Sequence, residues 1–136
     1  SLEDYKGVKR RFETIFENEN FKLIDDFAHH PTAIDETIKM ATEQTDNLIL
    51  IIELGSNSMK KGIHDERLLN IFKNQNVYTI NASANQREIF ANYAQELTKA
   101  DVAKICTTEA KKKTILMCGN RNFQGFQKLI LDELIK

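Results

Sequence analysis

The chain has 136 residues, of which 41% are hydrophobic and 29% charged; that suits a single domain with one core and argues against disorder. Its 19 basic and 20 acidic residues leave a formal net charge of −1. No molecule-wide field therefore favours nucleic acid or an anionic membrane, and any anion site must be local. The sequence contains neither an apolar run of membrane-spanning length nor a signal-peptide pattern, so the expected compartment is the cytoplasm.

Residues 8–16 and 21–24 read as two extended segments joined by a polar turn at 17–20, a hairpin-like start. The stretch 25–31 then leads into a helical pattern with Ile34, Ile38 and Ala41 on one face. Pro31 suits the first helical position, where its missing N–H has no partner to lose. Asp35 and Glu36 are expected in the first turns, where the helix dipole favours carboxylates. Residues 47–53 form a continuous apolar run, the mark of a strand covered on both faces.

A loop over 55–62 feeds a helix predicted for 63–72, followed by a short strand at 77–80. Residues 85–97 read as mainly helical, with a short strand at 94–97 as the alternative. Thr98 and Asp101 have capping-box spacing, and the helix after them should turn Val102 and Ile105 inward. The last strand is expected at 114–117 and the last helix at 123–135, with Phe126, Leu129, Ile130 and Leu134 inward. Strands alternating with helices predict an α/β fold with an open, mostly parallel sheet in three layers. The 1–136 span is read as one domain.

In such sheets ligands bind beyond the carboxyl ends of strands, where loops feed helix N-termini. Residues 25–31 occupy such a place, with carboxylates and imidazoles that could meet a nucleotide; a plain helix start with His30 as cap fits equally well. One arginine of Lys9-Arg10-Arg11 could reach a phosphate through its planar fork. Lys111-Lys112-Lys113 reads as a solvated run. No phosphate loop is present, because the glycine spacing at 119–125 is wrong and Phe126-Gln127 follows it. His29, His30 and His64 lack zinc spacing, and no Gly-X-Ser-X-Gly elbow occurs. Cys106 and Cys118 read as buried reduced thiols.

Two blocks carry a resemblance. Gly7-Val8-Lys9-Arg10-Arg11-Phe12-Glu13, followed by Asp25-Asp26-Phe27-Ala28-His29-His30-Pro31-Thr32-Ala33-Ile34, resembles in order and separation the start of the third domain of Mur ligases. Phe-Ala-His-His-Pro-Thr-Ala-Ile and Ser56-Asn57-Ser58-Met59-Lys60 look like the branch that recycles murein peptides. The branch that adds L-alanine typically reads Tyr-Gly-His-His-Pro-Thr-Glu and has an arginine-containing segment at the second place. Two departures stand out. Leu54-Gly55 replaces the recycling branch's Pro-Arg, and Gly119-Asn120-Arg121-Asn122-Phe123 replaces its Ser-Asn-Gly-Gly-Phe.

The resemblance implies a Rossmann-like C-terminal domain, excised from a three-domain enzyme whose N-terminal and central domains lie outside this chain. That enzyme would be an ATP-dependent amide-forming ligase. It would join UDP-N-acetylmuramate to the tripeptide L-Ala-γ-D-Glu-meso-diaminopimelate through an acyl phosphate, with ATP and Mg2+ and with the metal ligands in another domain. By the same resemblance Arg11, Asp26 and His29 would face the nucleotide, and Ser56, Asn57 and Lys60 the incoming peptide. No catalytic or metal-ligating residue is expected in this domain, and alone it should have no ligase activity. The same domain of an alanine-adding ligase, or a free-standing binding module without catalysis, are the alternative readings.

Overall fold

The computed structural model describes residues 11–136. The elements run β1 (Glu13–Glu17), β2 (Phe21–Asp26), α1 (Pro31–Thr42), β3 (Leu48–Glu53), α2 (Asn57–Lys60), α3 (Asp65–Phe72), β4 (Asn76–Ile80), α4 (Ala84–Phe90), β5 (Ala94–Glu96), α5 (Lys99–Ile105), β6 (Lys113–Cys118), a 3₁₀ turn (Phe123–Gly125) and α6 (Phe126–Ile135). One six-stranded sheet has the order β1-β2-β6-β3-β4-β5. β1 runs antiparallel to β2, with a register shift between Thr14 and Phe16, and the other pairings are parallel. The expected α/β class and N-terminal hairpin are both present; the expected strand residues 8–10 lie outside the described residues.

The apolar run in β3 splits by parity. Leu50 and Ile52 face one core with Ile34 and Ile38 of α1, Leu68 and Phe72 of α3, and Phe90 of α4. Ile49 and Ile51 face the other, with Val102 and Ile105 of α5 and Ile130 and Leu134 of α6. Successive strand side chains point to opposite faces, so a strand that is apolar at every position needs helices on both sides. Leu116 and Ile115 of β6 divide in the same way.

This arrangement decides where the loops diverge. The chain leaves β2 and β3 toward the face of α1 and α3, but leaves β6 toward the face of α6. β6 lies between β2 and β3. The loops therefore diverge on either side of its carboxyl end, the kind of position that ligands take in open α/β sheets.

Several local expectations change. Residues 94–96 form the strand alternative, because they pair with β4 at Val77, Tyr78 and Thr79, and the preceding helix stops at Phe90. The 63–72 helix starts at Asp65, after the separate short α2. Asp35 and Glu36 fall beyond the first turn of α1, and Asp35 instead pairs with Lys39 at 3.5 Å. The last helix is interrupted at its start by left-handed Phe123, Gln124 and Gly125. Its register then leaves Leu129 38% exposed and Phe126 only partly buried, while Ile130 and Leu134 pack inward. The Thr98–Asp101 capping box forms, and a second one forms at Ser83 and Gln86.

Candidate functional site

β2 delivers Asp26 to the carboxyl edge of the sheet, where it is 6% exposed. Its Oδ1 accepts the Phe12 backbone N–H at 2.6 Å. Its Oδ2 accepts the Ala28 N–H at 2.9 Å and the Thr37 hydroxyl at 3.0 Å. A buried carboxylate is tolerated when donors meet it in this way. The three bonds tie together the start of β1, the β2–α1 loop and the middle of α1. Phe12 has φ 49°, left-handed for a residue with a side chain, and the bond to Asp26 helps to hold it there. The Gly119 N–H also donates to the Asp26 carbonyl at 3.1 Å, joining the end of β6 to the same point.

Around this hub lies a cavity of about 430 Å3, within the usual range for small-molecule sites. Phe12, Phe27, Ala33 and Met40 give it apolar walls, and Arg11, Asp26, His29 and Thr37 supply polar groups. Apolar faces beside an arginine and an imidazole suit a flat heterocycle that carries an anionic tail. The structure thus brings Arg11, Asp26 and His29 into one pocket.

His29 Nδ1 lies 3.0 Å from the Phe27 carbonyl, and its ring meets the Phe27 ring edge-on at 5.1 Å. Donation from Nδ1 to that carbonyl makes Nε2 the acceptor of the neutral ring. His30 is the N-cap residue of α1 but makes no side-chain cap bond. Its ring instead packs against His64 at 4.5 Å. Desolvation, followed by the nearby His64, Arg67 and His29 charges, pushes the His30 pKa down. Arg67 of α3 donates to the Thr32 hydroxyl of α1 at 3.1 Å, so the first turns of these two helices also touch here.

Ser56, Asn57 and Lys60 lie elsewhere, on and before α2. Ser56 is the N-cap of α2 and accepts the Met59 N–H at 3.4 Å, while Asn57 and Lys60 are exposed. Sequence reasoning missed a second hub beside them. Glu53, 2% exposed at the end of β3, accepts the Arg121 N–H at 3.0 Å and the Phe123 N–H at 2.9 Å. The signal was a glutamate closing an otherwise apolar strand. A Cβ on Gly119 would stand 2.7 Å from Glu53 Cβ, so only glycine leaves room for this approach. Both cysteines are free. Burial raises the Cys106 thiol to about 11 and, with Asp26 and Asp25 nearby, raises Cys118 well above the ordinary range.

Among the described residues no group of three or more His, Cys, Asp or Glu is placed to hold a metal ion. No helix there is long and apolar enough to cross a membrane. Fold and site together define a class: an open, mostly parallel α/β domain with a pocket beside the carboxyl end of β2. Residues 10–121 match the family model described as Mur ligase, glutamate ligase domain. The chain belongs to this family and is a Mur ligase C-terminal domain.

A murein peptide ligase from Psychrobacter arcticus superposes with TM-score 0.74 at 31% identity, covering 98% of this chain and 31% of that one. A domain of a candidate UDP-N-acetylmuramate:L-alanyl-γ-D-glutamyl-diaminopimelate ligase from Haemophilus ducreyi gives 0.66 at 26% identity, covering 91% and 99%. A UDP-N-acetylmuramate–L-alanine ligase from Campylobacter jejuni is 48% identical over 42 residues, 31% of this chain and 10% of that protein. The chain thus spans about a third of the Psychrobacter enzyme, and its match to the Campylobacter enzyme spans a tenth of that protein.

Proposed function

We propose that this domain supplies one wall of the nucleotide site and part of the amino-substrate site in an ATP-dependent ligase. The ligase joins UDP-N-acetylmuramate to L-Ala-γ-D-Glu-meso-diaminopimelate in cell-wall recycling. The observation that carries the reading is the convergence of Arg11, Asp26 and His29 on one largely apolar pocket at the β2–α1 edge. Similarity to a murein peptide ligase over 98% of the chain supports the tripeptide as amino substrate.

A carboxylate offers about four acceptor positions. Three at Asp26 are taken within the domain, so Oδ1 can accept one more hydrogen bond, such as one from a ribose hydroxyl. Arg11, exposed at the rim, pairs with ribose or phosphate oxygens. His29 presents Nε2 beside the nucleotide, and Phe12, Phe27 and Met40 shield the base. The phosphate loop and the Mg2+ ligands belong to another domain of the larger protein. This domain's contribution is to position the nucleotide and the attacking amine and to exclude water. ATP phosphorylates the sugar carboxylate, and the amine then displaces phosphate from the acyl phosphate.

The second reading, an L-alanine-adding ligase, draws on the 48% identity to the Campylobacter enzyme over 42 residues. Phosphate release by the full-length protein with ATP, Mg2+ and UDP-N-acetylmuramate, on adding either tripeptide or L-alanine, separates the two. The proposal expects stimulation by tripeptide. Stimulation by L-alanine alone would replace it with the second reading, and a response to neither amine would leave a non-catalytic module.

A further inference from the structure

On its inner face α1 buries Ile34, Thr37, Ile38 and Ala41, positions that share one side of a helix. Three of them are apolar. The fourth is a threonine, although valine has nearly the same shape and no hydroxyl to satisfy in a buried place. A threonine in a helix ordinarily returns its hydroxyl to a carbonyl three or four residues back. Thr42 does so to Lys39 at 3.1 Å, and Thr107, just past α5, does so to Ala103 at 3.0 Å. Thr37 instead donates across to Asp26 Oδ2 at 3.0 Å, and it also lines the pocket.

A carboxylate has two equivalent oxygens and turns easily about its last torsion, so by itself it offers a ligand no single docking point. At Asp26 the two oxygens are made unlike. The Ala28 N–H and the Thr37 hydroxyl fill Oδ2, while the Phe12 N–H takes one position on Oδ1. One acceptor position stays open, and it is on Oδ1. Of these three donors two are backbone N–H groups, which any residue but proline supplies. Thr37 alone acts through its side chain. Without its hydroxyl, Oδ2 regains an open position and the carboxylate loses a tie against rotation.

We infer that Thr37 is a positioning residue that leaves Asp26 one open acceptor, and that the pair makes this wall select a ribonucleotide over its deoxy analogue. The inference rests on the nucleotide-wall reading above. An ionised carboxylate only accepts, so the group it meets must be a donor such as a ribose hydroxyl, and a phosphate oxygen is refused. A buried acceptor shaped for a hydroxyl rejects the analogue without one, because the acceptor is then left unpaired. Arg11 at the rim serves the opposite need, since a guanidinium only donates. The ligand class is a nucleoside polyphosphate with its ribose hydroxyls intact.

The test is steady-state kinetics of the full-length ligase with ATP, 2′-deoxy-ATP and 3′-deoxy-ATP. The parent should show a KM about tenfold or more higher for at least one deoxy analogue than for ATP. Thr37→Val should raise KM for ATP about fivefold, while KM for that analogue and for the amine stay within about twofold. Thr37→Ala reads the same loss if the valine variant fails to fold. Thr37→Ser keeps the hydroxyl and should return KM for ATP to within about twofold of the parent, even though it too lowers Tm by losing a buried methyl. A merely structural role would make KM follow Tm in all these variants. An unchanged KM for ATP in Thr37→Val, an equal rise for ATP and the deoxy analogue, or a serine variant that behaves like valine would overturn the inference. So would a parent that uses both deoxy analogues as well as ATP. Asp26→Asn tests the wall itself: if it leaves KM for ATP unchanged, the nucleotide-wall reading falls, whereas a rise there without one in Thr37→Val removes only the role of Thr37.

Discussion

Replacing Asp26 by alanine should loosen the hairpin and the nucleotide pocket in one step. The carboxylate meets three donors, and a hydrogen bond to a charged group contributes about 1.5–3 kcal/mol. The Ala28 N–H and Thr37 hydroxyl bonds are buried and cannot be replaced by solvent without rearrangement. Losing them costs about 3–5 kcal/mol. The Phe12 N–H is only partly buried, and release of its left-handed backbone, less the bond it loses, returns about 1 kcal/mol. The net loss is about 2–4 kcal/mol, against a total of about 5–15 for a domain. In this size range that lowers Tm by roughly 8–15 °C. Thr37→Val removes one donor at nearly constant volume and should cost about 1–2 kcal/mol. Circular dichroism melts measure both changes, and amide hydrogen exchange should quicken at Phe12 and Ala28 before it does in β3. A Tm within about 2 °C of the parent for Asp26→Ala would refute the hub account.

Gly119→Ala should destabilise by more than about 2 kcal/mol in a urea melt, because the new methyl must displace Glu53 or Phe123 from a buried contact. Gln124→Gly should stabilise by about 1 kcal/mol in the same melt by relieving the left-handed backbone at φ 51°. With a thiol reagent Cys118 should stay unmodified until the domain unfolds, and Cys106 should react slowly at neutral pH, since burial disfavours both thiolates. The raised Cys106 thiol also makes stability depend on pH. The unfolded thiol ionises first, so its contribution is fully present below the ordinary thiol pKa and is lost as pH rises toward about 11. Urea melts above neutral pH should show that decline, and Cys106→Ala should flatten it.

Much of the fold was legible because its signals are local. The apolar run of β3, the capping box at Thr98 and the proline at the start of α1 each act within a few residues. The pocket was legible for another reason: one loop motif and one basic residue matched a family pattern, and the sheet closes them on each other. What escaped depends on distant contacts. Glu53 reads as a polar strand end until the turn after β6 places Phe123, 70 positions later, against it. Leu129 reads as a core residue only if the last helix begins at Phe123. Three left-handed residues delay the helix and rotate its register. Arg121 Nε donates to the Gly55 carbonyl at 3.0 Å, a contact between loops 66 positions apart that no local pattern announces.

Photolabelling the full-length protein with 8-azido-ATP and mapping the labelled peptides tests whether the Asp26 pocket is the nucleotide wall of a ligase. Label is expected in this domain on peptides spanning residues 11–40, suppressed by excess ATP and weakened by Asp26→Ala. Label in this domain confined to residues outside that span, with residues 11–40 unmodified, would contradict it.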